Sequence, residues 1–232
     1  MADETLTQLD QNLWVATRRL KLIVGDIGTR MTVIRVGNGL LLHSPVPLDD
    51  ATKRALDATG QPRWAVGPSK VHSLFLGDYA RGYPSIEIWG APGLAEKRRD
   101  LKFDRVVDEA AAKEAWGDEV RVHLFQGLPM LNEIVFLHRP SRTLVLTDLA
   151  FNVHPGPGNR ARFFHWLVGA VGRFGPHRLV RLGIRDRAAA RHSLETILAW
   201  DFDRIIVTHG EVLEKDGRAK LEAGFSFLAV RN

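Results

Sequence analysis

Leu13 to Ala16 is an unbroken apolar run, and Met31 to Val36 is a β-branched run in which apolar positions alternate with the polar Thr32 and Arg35. Both runs read as strands. The triplet Gly37-Asn38-Gly39 tolerates positive φ and leads into Leu40-Leu41-Leu42, so Met31 to Leu42 is predicted to form a β-hairpin. Asp49 or Asp50 can cap a helix that continues to Ala58, where Gly60 and Pro62 stop it, and Trp64-Ala65-Val66 resumes as strand. Ser73 to Arg81 reads as a second helix, ending before Pro84, and Ile86 to Trp89 as the strand after it. Together these segments make two β-α-β units.

Further along, the alanine-rich stretch Asp108 to Trp116 reads as helix and Val120 to Leu124 as strand. A second hairpin is predicted from Ile134 to His138 and Thr143 to Thr147, joined by Arg139-Pro140-Ser141-Arg142 with proline at the second turn position. Asn152 to Asn159 holds two prolines and two glycines and reads as a loop directly beyond Asp148. Helices are expected over Arg160 to Gly172, with Phe163, Trp166, Leu167 and Ala170 as an apolar stripe, and over Asp186 to Ala199. Arg204 to Val207 is the last strand. Strands that alternate with helices yet include hairpins predict an α/β fold with mixed sheets covered by helices, in one domain spanning residues 1–232.

Composition narrows the chemistry. The 232 residues are 45% apolar, enough for a sizeable core, and no run reaches the roughly 18 uncharged apolar residues of a membrane span. Met1 to Asp10 is polar and acidic, unlike a secretory signal, so the expectation is a soluble cytoplasmic protein with no membrane partner. With no cysteine, any metal must be held by His, Asp or Glu. The net charge is +5, and Arg160, Arg162, Arg173, Arg178, Arg181, Arg185, Arg187 and Arg191 crowd one segment. That crowding fits either an anionic small-molecule substrate or an ordinary solvated face. No recognition motif supports nucleic-acid reading, and the phosphate-loop, dinucleotide and nucleophile-elbow motifs are all missing.

Three ionisable residues stand where predicted strands end: His72, Asp148 and His209. Strand ends are where α/β sheets place their sites, and two imidazoles with one carboxylate suit Zn²⁺ or Fe²⁺ with positions left open. Taken singly, each is an ordinary residue: a hydrogen-bonded histidine after a strand, or an aspartate in a turn.

Taken together, the order resembles the metallo-β-lactamase superfamily: an opening hairpin, a ligand loop after a β-α-β unit, Thr-Leu-Val-Leu-Thr-Asp ending at Asp148, and Ile-Ile-Val-Thr-His-Gly around His209. The resemblance covers Leu13 to Val212. It implies an αββα sandwich of two mixed β-sheets with helices on the outer faces, and a metal-dependent hydrolase. Placing the last His of the family's His-x-His-x-Asp-His loop on His72 puts Gly67, Ser69 and Val71 at the other ligand positions. The family's next ligand falls near Leu128 and Pro129, which offer no donor. The resemblance thus implies a divergent branch of unknown function with one divalent metal, zinc or iron, at the second metal position, held by His72, Asp148 and His209.

Glu133 opens the strand after the missing ligand and is expected to replace that ligand or act as a general base, with a solvent-facing carboxylate as the plain alternative, whereas period two turns His138 away from it. His43 follows the first hairpin, where the family often has an aspartate that orients the ligand loop, and is expected to steady that loop by hydrogen bonding. Asn152, His154, His165 and Arg191 are second-rank candidates, since a loop or helix beyond Asp148 can bring any of them over a bound substrate, the alternative being surface or packing residues. Two other readings stay open: a non-haem iron enzyme using oxygen, and a module without metal that binds an acidic partner or nucleic acid. The oligomeric state is not fixed by any of these features.

Overall fold

The structure is a computed structural model, and it describes residues 5–22, 25–153 and 172–229. The N-terminal half builds a seven-stranded sheet in the order β1 (Thr7–Asp10), β2 (Leu13–Arg18), β5 (Thr29–Val36), β6 (Gly39–His43), β7 (Gln61–Gly67), β8 (Glu87–Gly90) and β9 (Arg105–Val106). The short strands β3 (Lys21–Leu22) and β4 (Gly25–Asp26) pair with each other outside it. Pairing is antiparallel from β1 to β6 and parallel from β6 to β9. The second sheet runs β10 (Val120–Leu124), β11 (Ile134–His138), β12 (Thr143–Leu146) and β13 (Arg204–Val207), antiparallel except for the β12–β13 pair. Both sheets are mixed, as hairpins interleaved with crossovers predict.

Local signals explain the joins. Val36 pairs with Gly39 across a two-residue loop whose first residue, Gly37, sits at φ +53°, the position where such hairpins need glycine. Helix α1 (Asp50–Thr59) is capped by Asp49, whose Oδ1 accepts from Thr52 N at 2.7 Å. Helix α2 (Leu76–Gly82) begins three residues later than expected, because Ser73 to Phe75 form a turn with Leu76 N on Ser73 O. The remaining helices are α3 (Leu94–Lys97), α4 (Glu109–Trp116), α5 (Arg178–Gly183), α6 (Arg187–Leu198) and α7 (Gly217–Gly224). Asp186 caps α6 by accepting from Ala188 N and Ala189 N. The helix expected from Arg160, together with His154 and His165, lies outside the described residues.

Three apolar layers hold these elements. Leu13, Ile34, Leu41, Trp64 and Trp89 of the first sheet meet Val122, Ile134, Phe136, Val145 and Ile206 of the second. The other face of the first sheet packs Met31, Leu40, Leu42 and Ala65 against Leu56 of α1 and Tyr79 of α2. The other face of the second sheet packs Val135, Leu144, Leu146 and Ile205 against Val180, Leu194 and Leu221 of α5, α6 and α7. This is the αββα sandwich, and each fully buried large side chain contributes about 1.5–3 kcal/mol by leaving water. Among the described residues no helix is long and apolar enough to cross a membrane.

Candidate metal centre

His72, Asp148 and His209 each stand on a loop at one end of the sandwich. The loop after β7 is tied across to the neighbouring turn by Lys70 N on Leu131 O at 2.8 Å. Ser69, fully buried, turns its hydroxyl to Val71 N and His72 N at 3.4 and 3.3 Å. At Gly67 a Cβ would lie 2.5 Å from Leu94 Cδ2, so Leu94 and Leu76 fill the space that a longer side chain would need. Two of the positions that resemblance assigns to ligands are therefore given over to packing and to loop geometry.

Asp148 follows β12, and Glu133 fixes it there. The Glu133 carboxylate accepts from Thr147 N at 2.6 Å through Oε1 and from Asp148 N and Leu149 N at 2.8 and 3.0 Å through Oε2. His209 follows β13 on a segment stitched to residues 151–153. Asn152 N bonds His209 O at 3.3 Å, Glu211 N bonds Asn152 O at 2.9 Å, and Asn152 Nδ2 bonds Glu211 O at 2.9 Å. Gly210, at φ +102°, permits this approach, since any Cβ there would collide with the Asn152 carbonyl.

The three side chains converge. Asp148 Oδ2 lies 3.1 Å from His72 Nε2, and Oδ1 lies 3.5 Å from His209 Nε2. One donor atom from each residue falls within 4.8 Å of the others. The opposite ring nitrogens are anchored: His72 Nδ1 to Ser44 Oγ at 3.0 Å, and His209 Nδ1 to the Gly28 carbonyl at 2.9 Å. A carbonyl only accepts, so His209 carries its proton on Nδ1 and turns the Nε2 lone pair toward Asp148. Phe151 stacks on the His209 ring at 5.6 Å and lies 4.6 Å from the ring of His177.

Burial disfavours charge on all three, yet the pair chemistry differs. Burial and the charge of His72 push His209 down to about 4 even though Asp148 opposes them, so its imidazole is neutral. Burial would raise Asp148, but His72, His209 and His177 outweigh it and hold the carboxyl at about 2. His72 is shifted above its ordinary value, because Asp148 and Glu133 overcome its burial. A fixed carboxylate faced by two imidazole nitrogens, each backed by a hydrogen bond, is a donor set that fits a divalent cation.

The other expected residues fall as follows. Glu133 is fully buried with both oxygens engaged by the backbone, and burial together with Asp148 pushes its carboxyl to about 7. The expectation for Glu133 is a general base, and in the structure its oxygens face the backbone of the Asp148 loop. His43 does not steady the ligand loop by hydrogen bonding: its ring packs edge-on against Phe136 at 4.8 Å, and neither nitrogen has a partner among the described residues. The adjacent Ser44, at φ +54°, makes that bond instead. His138 ends β11 at the opposite end of the sheet from Glu133, bonded to Ser141 Oγ at 2.7 Å. Asn152 is buried and holds the His209 segment rather than facing open space. The sequence reading missed Ser44, Phe151 and His177, none of which carries a local motif.

The sandwich and the histidine and aspartate cluster define a metallo-β-lactamase fold. A metallo-β-lactamase from Erythrobacter litoralis with β-mercaptoethanol in its active site matches at TM-score 0.66 and 15% identity, covering 98% of both chains. One from Hirschia baltica matches at 0.65 and 12%, again over 98% of both. FIM-1 from Pseudomonas aeruginosa in its mono-zinc form matches at 0.64 and 12%, over 97% of this chain and 92% of the other. Within that fold the chain belongs to the family described as a domain of unknown function (DUF4336), whose model matches residues 10–163. Among curated proteins none matches this sequence.

Proposed function

We propose that the protein is a metal-dependent hydrolase with a single divalent ion, zinc or iron, held by His72, Asp148 and His209. The observation that carries the reading is the convergence of three donor atoms within 4.8 Å on loops from two sheets, with the far nitrogen of each imidazole anchored. The mono-zinc form of FIM-1, on the same fold, is a precedent for one ion. When bound, such an ion lowers the pKa of its water toward 7 and polarises the group to be cleaved.

The chain's own residues prepare that chemistry. Gly28 O fixes the His209 tautomer and Ser44 Oγ the His72 ring, so both Nε2 atoms are aimed before anything binds. Glu133 acts as a positioning residue: its three amide bonds set the backbone that presents Asp148. Phe151, stacked on His209, keeps water from one face of that imidazole. The substrate we propose is a small anionic molecule, in keeping with the arginines that follow residue 172: Arg181 is held below its ordinary pKa by burial and by Arg173 and Arg187 nearby.

Elemental analysis of the purified protein tests the reading. Close to one equivalent of zinc or iron is expected, falling toward zero in His72→Ala and in His209→Ala. Metal content near zero in the wild type, or unchanged in both variants, refutes it. Iron together with iron-dependent oxygen consumption would replace hydrolysis with oxygen chemistry.

A further inference from the structure

Large apolar side chains that stand exposed are few among the described residues: Val71, Leu74, Val106, Met130, Leu179 and Leu182. All but Val106 lie on the segments around the metal-ligand cluster. Val71 and Leu74 flank His72 on its loop. Lys70, beside Val71, bonds the 129–131 turn through its backbone N to Leu131 O and through Nζ to Pro129 O at 3.0 Å. Met130 caps that turn, and its Sδ lies over Gly183 at the end of α5. Leu182, 75% exposed, and Leu179 belong to the same helix. That helix begins at His177, which touches Phe151 and adds to the field on Asp148. The path therefore leaves the cluster at His72, passes Val71, Met130, Leu182 and Leu179, and returns at His177.

From this arc we infer that the substrate is an amphiphile, with the polar group to be cleaved at the His72, Asp148 and His209 cluster and an alkyl or acyl chain lying over Val71, Met130, Leu179 and Leu182. The inference rests on the hydrolase reading for the cleaved group, but the chain-binding arc is a property of its own residues. Exposed apolar surface gathered in one place marks a binding surface, whereas single scattered side chains do not. Continuity with the ligand cluster favours one occupant, a ligand with a polar end and an apolar end. Each methylene buried on such a surface strengthens binding roughly threefold to fourfold.

Calorimetric titration with butanoate, hexanoate, octanoate and decanoate tests the inference on zinc-loaded protein and on protein stripped of metal. Affinity should rise with chain length by about threefold per methylene, at the low end of that range, until the arc is covered, in both forms. Met130→Gln with Leu182→Gln, uncharged changes at exposed positions, should flatten that rise. A flat series in the wild type, or an undiminished rise in the double variant, overturns the inference. If the protein takes up no zinc but the rise persists and the double variant abolishes it, the arc stands and the metal reading falls. Pelleting with phosphatidylcholine and phosphatidylglycerol vesicles, without affinity for monomeric decanoate, overturns it in favour of a membrane surface.

Discussion

The two ends of the second sheet are built from the same residue types and do opposite things with them. At the far end, Arg204 meets Asp10 at 3.1 Å and Glu214 at 2.8 Å, and Arg142 meets Asp201 at 2.7 Å. His138 at that end turns Nδ1 to the Ser141 hydroxyl, which bonds Thr143 Oγ1 in turn at 2.9 Å. At the ligand end, the ion-pair partners of Asp148 among the described residues are His72 and His209. A guanidinium is a permanent partner that closes a site, whereas a neutral imidazole can share a carboxylate with a cation. The difference is that the far-end carboxylates are taken by arginines, whereas the carboxylate at the ligand end is shared by two histidines.

The largest expected effect breaks the ligand end at its support. Glu133→Ala strips three amides, two of them buried, of their acceptor, and the cost should be on the order of 3–5 kcal/mol by urea denaturation. Glu133→Gln, which keeps one acceptor oxygen, should lose less and remain folded. A loss under about 1 kcal/mol in Glu133→Ala would show that the carboxylate does not hold the loop.

Next in size, Ser44→Ala removes the bond behind His72 Nδ1 and should weaken zinc binding by roughly 10–100-fold, read by competition with a chelating dye. Unchanged affinity would show that the ring needs no such anchor. His43→Ala serves as the contrast, because that ring bonds nothing among the described residues.

The far end responds to acid. Burial pushes His138 down from 6.5 to about 4 in the fold, so the unfolded chain binds a proton first as the pH falls. Stability from this group is complete above about pH 6.5 and is lost progressively as the pH drops toward 4, by up to about 1.4 kcal/mol per pH unit. His138→Gln should make the urea midpoint less steep over that window, and an identical slope would contradict the assignment. Smallest of all, Arg142→Ala breaks only an exposed ion pair and should cost less than about 1 kcal/mol.

Period and turn chemistry made much of the sandwich legible. Met31 to Leu42 announces the β5–β6 hairpin, and Arg139-Pro140-Ser141-Arg142 between two apolar runs announces the second, because turn residues mark where paired strands reverse. His72, Asp148 and His209 were readable because each lies on a loop that follows a strand, at the end of the sheet where α/β folds gather their sites. Helices α5 and α7 were not, being short and dependent on packing against the second sheet for their stability. The role of Glu133 was hidden for another reason: three amides from residues fourteen to sixteen positions away meet its carboxylate only after β11 and β12 pair. Ser44 and His177 carry no pattern, since a serine in αL geometry and a histidine capping a helix look like any loop residue.

Calorimetric titration of metal-free protein with zinc tests the central claim most directly. One ion should bind per chain in the wild type, and Asp148→Ala, which removes the carboxylate between the two imidazoles, should weaken that binding at least about 100-fold. Two ions bound with similar affinity, or binding that Asp148→Ala leaves unchanged, would contradict a single centre built on His72, Asp148 and His209.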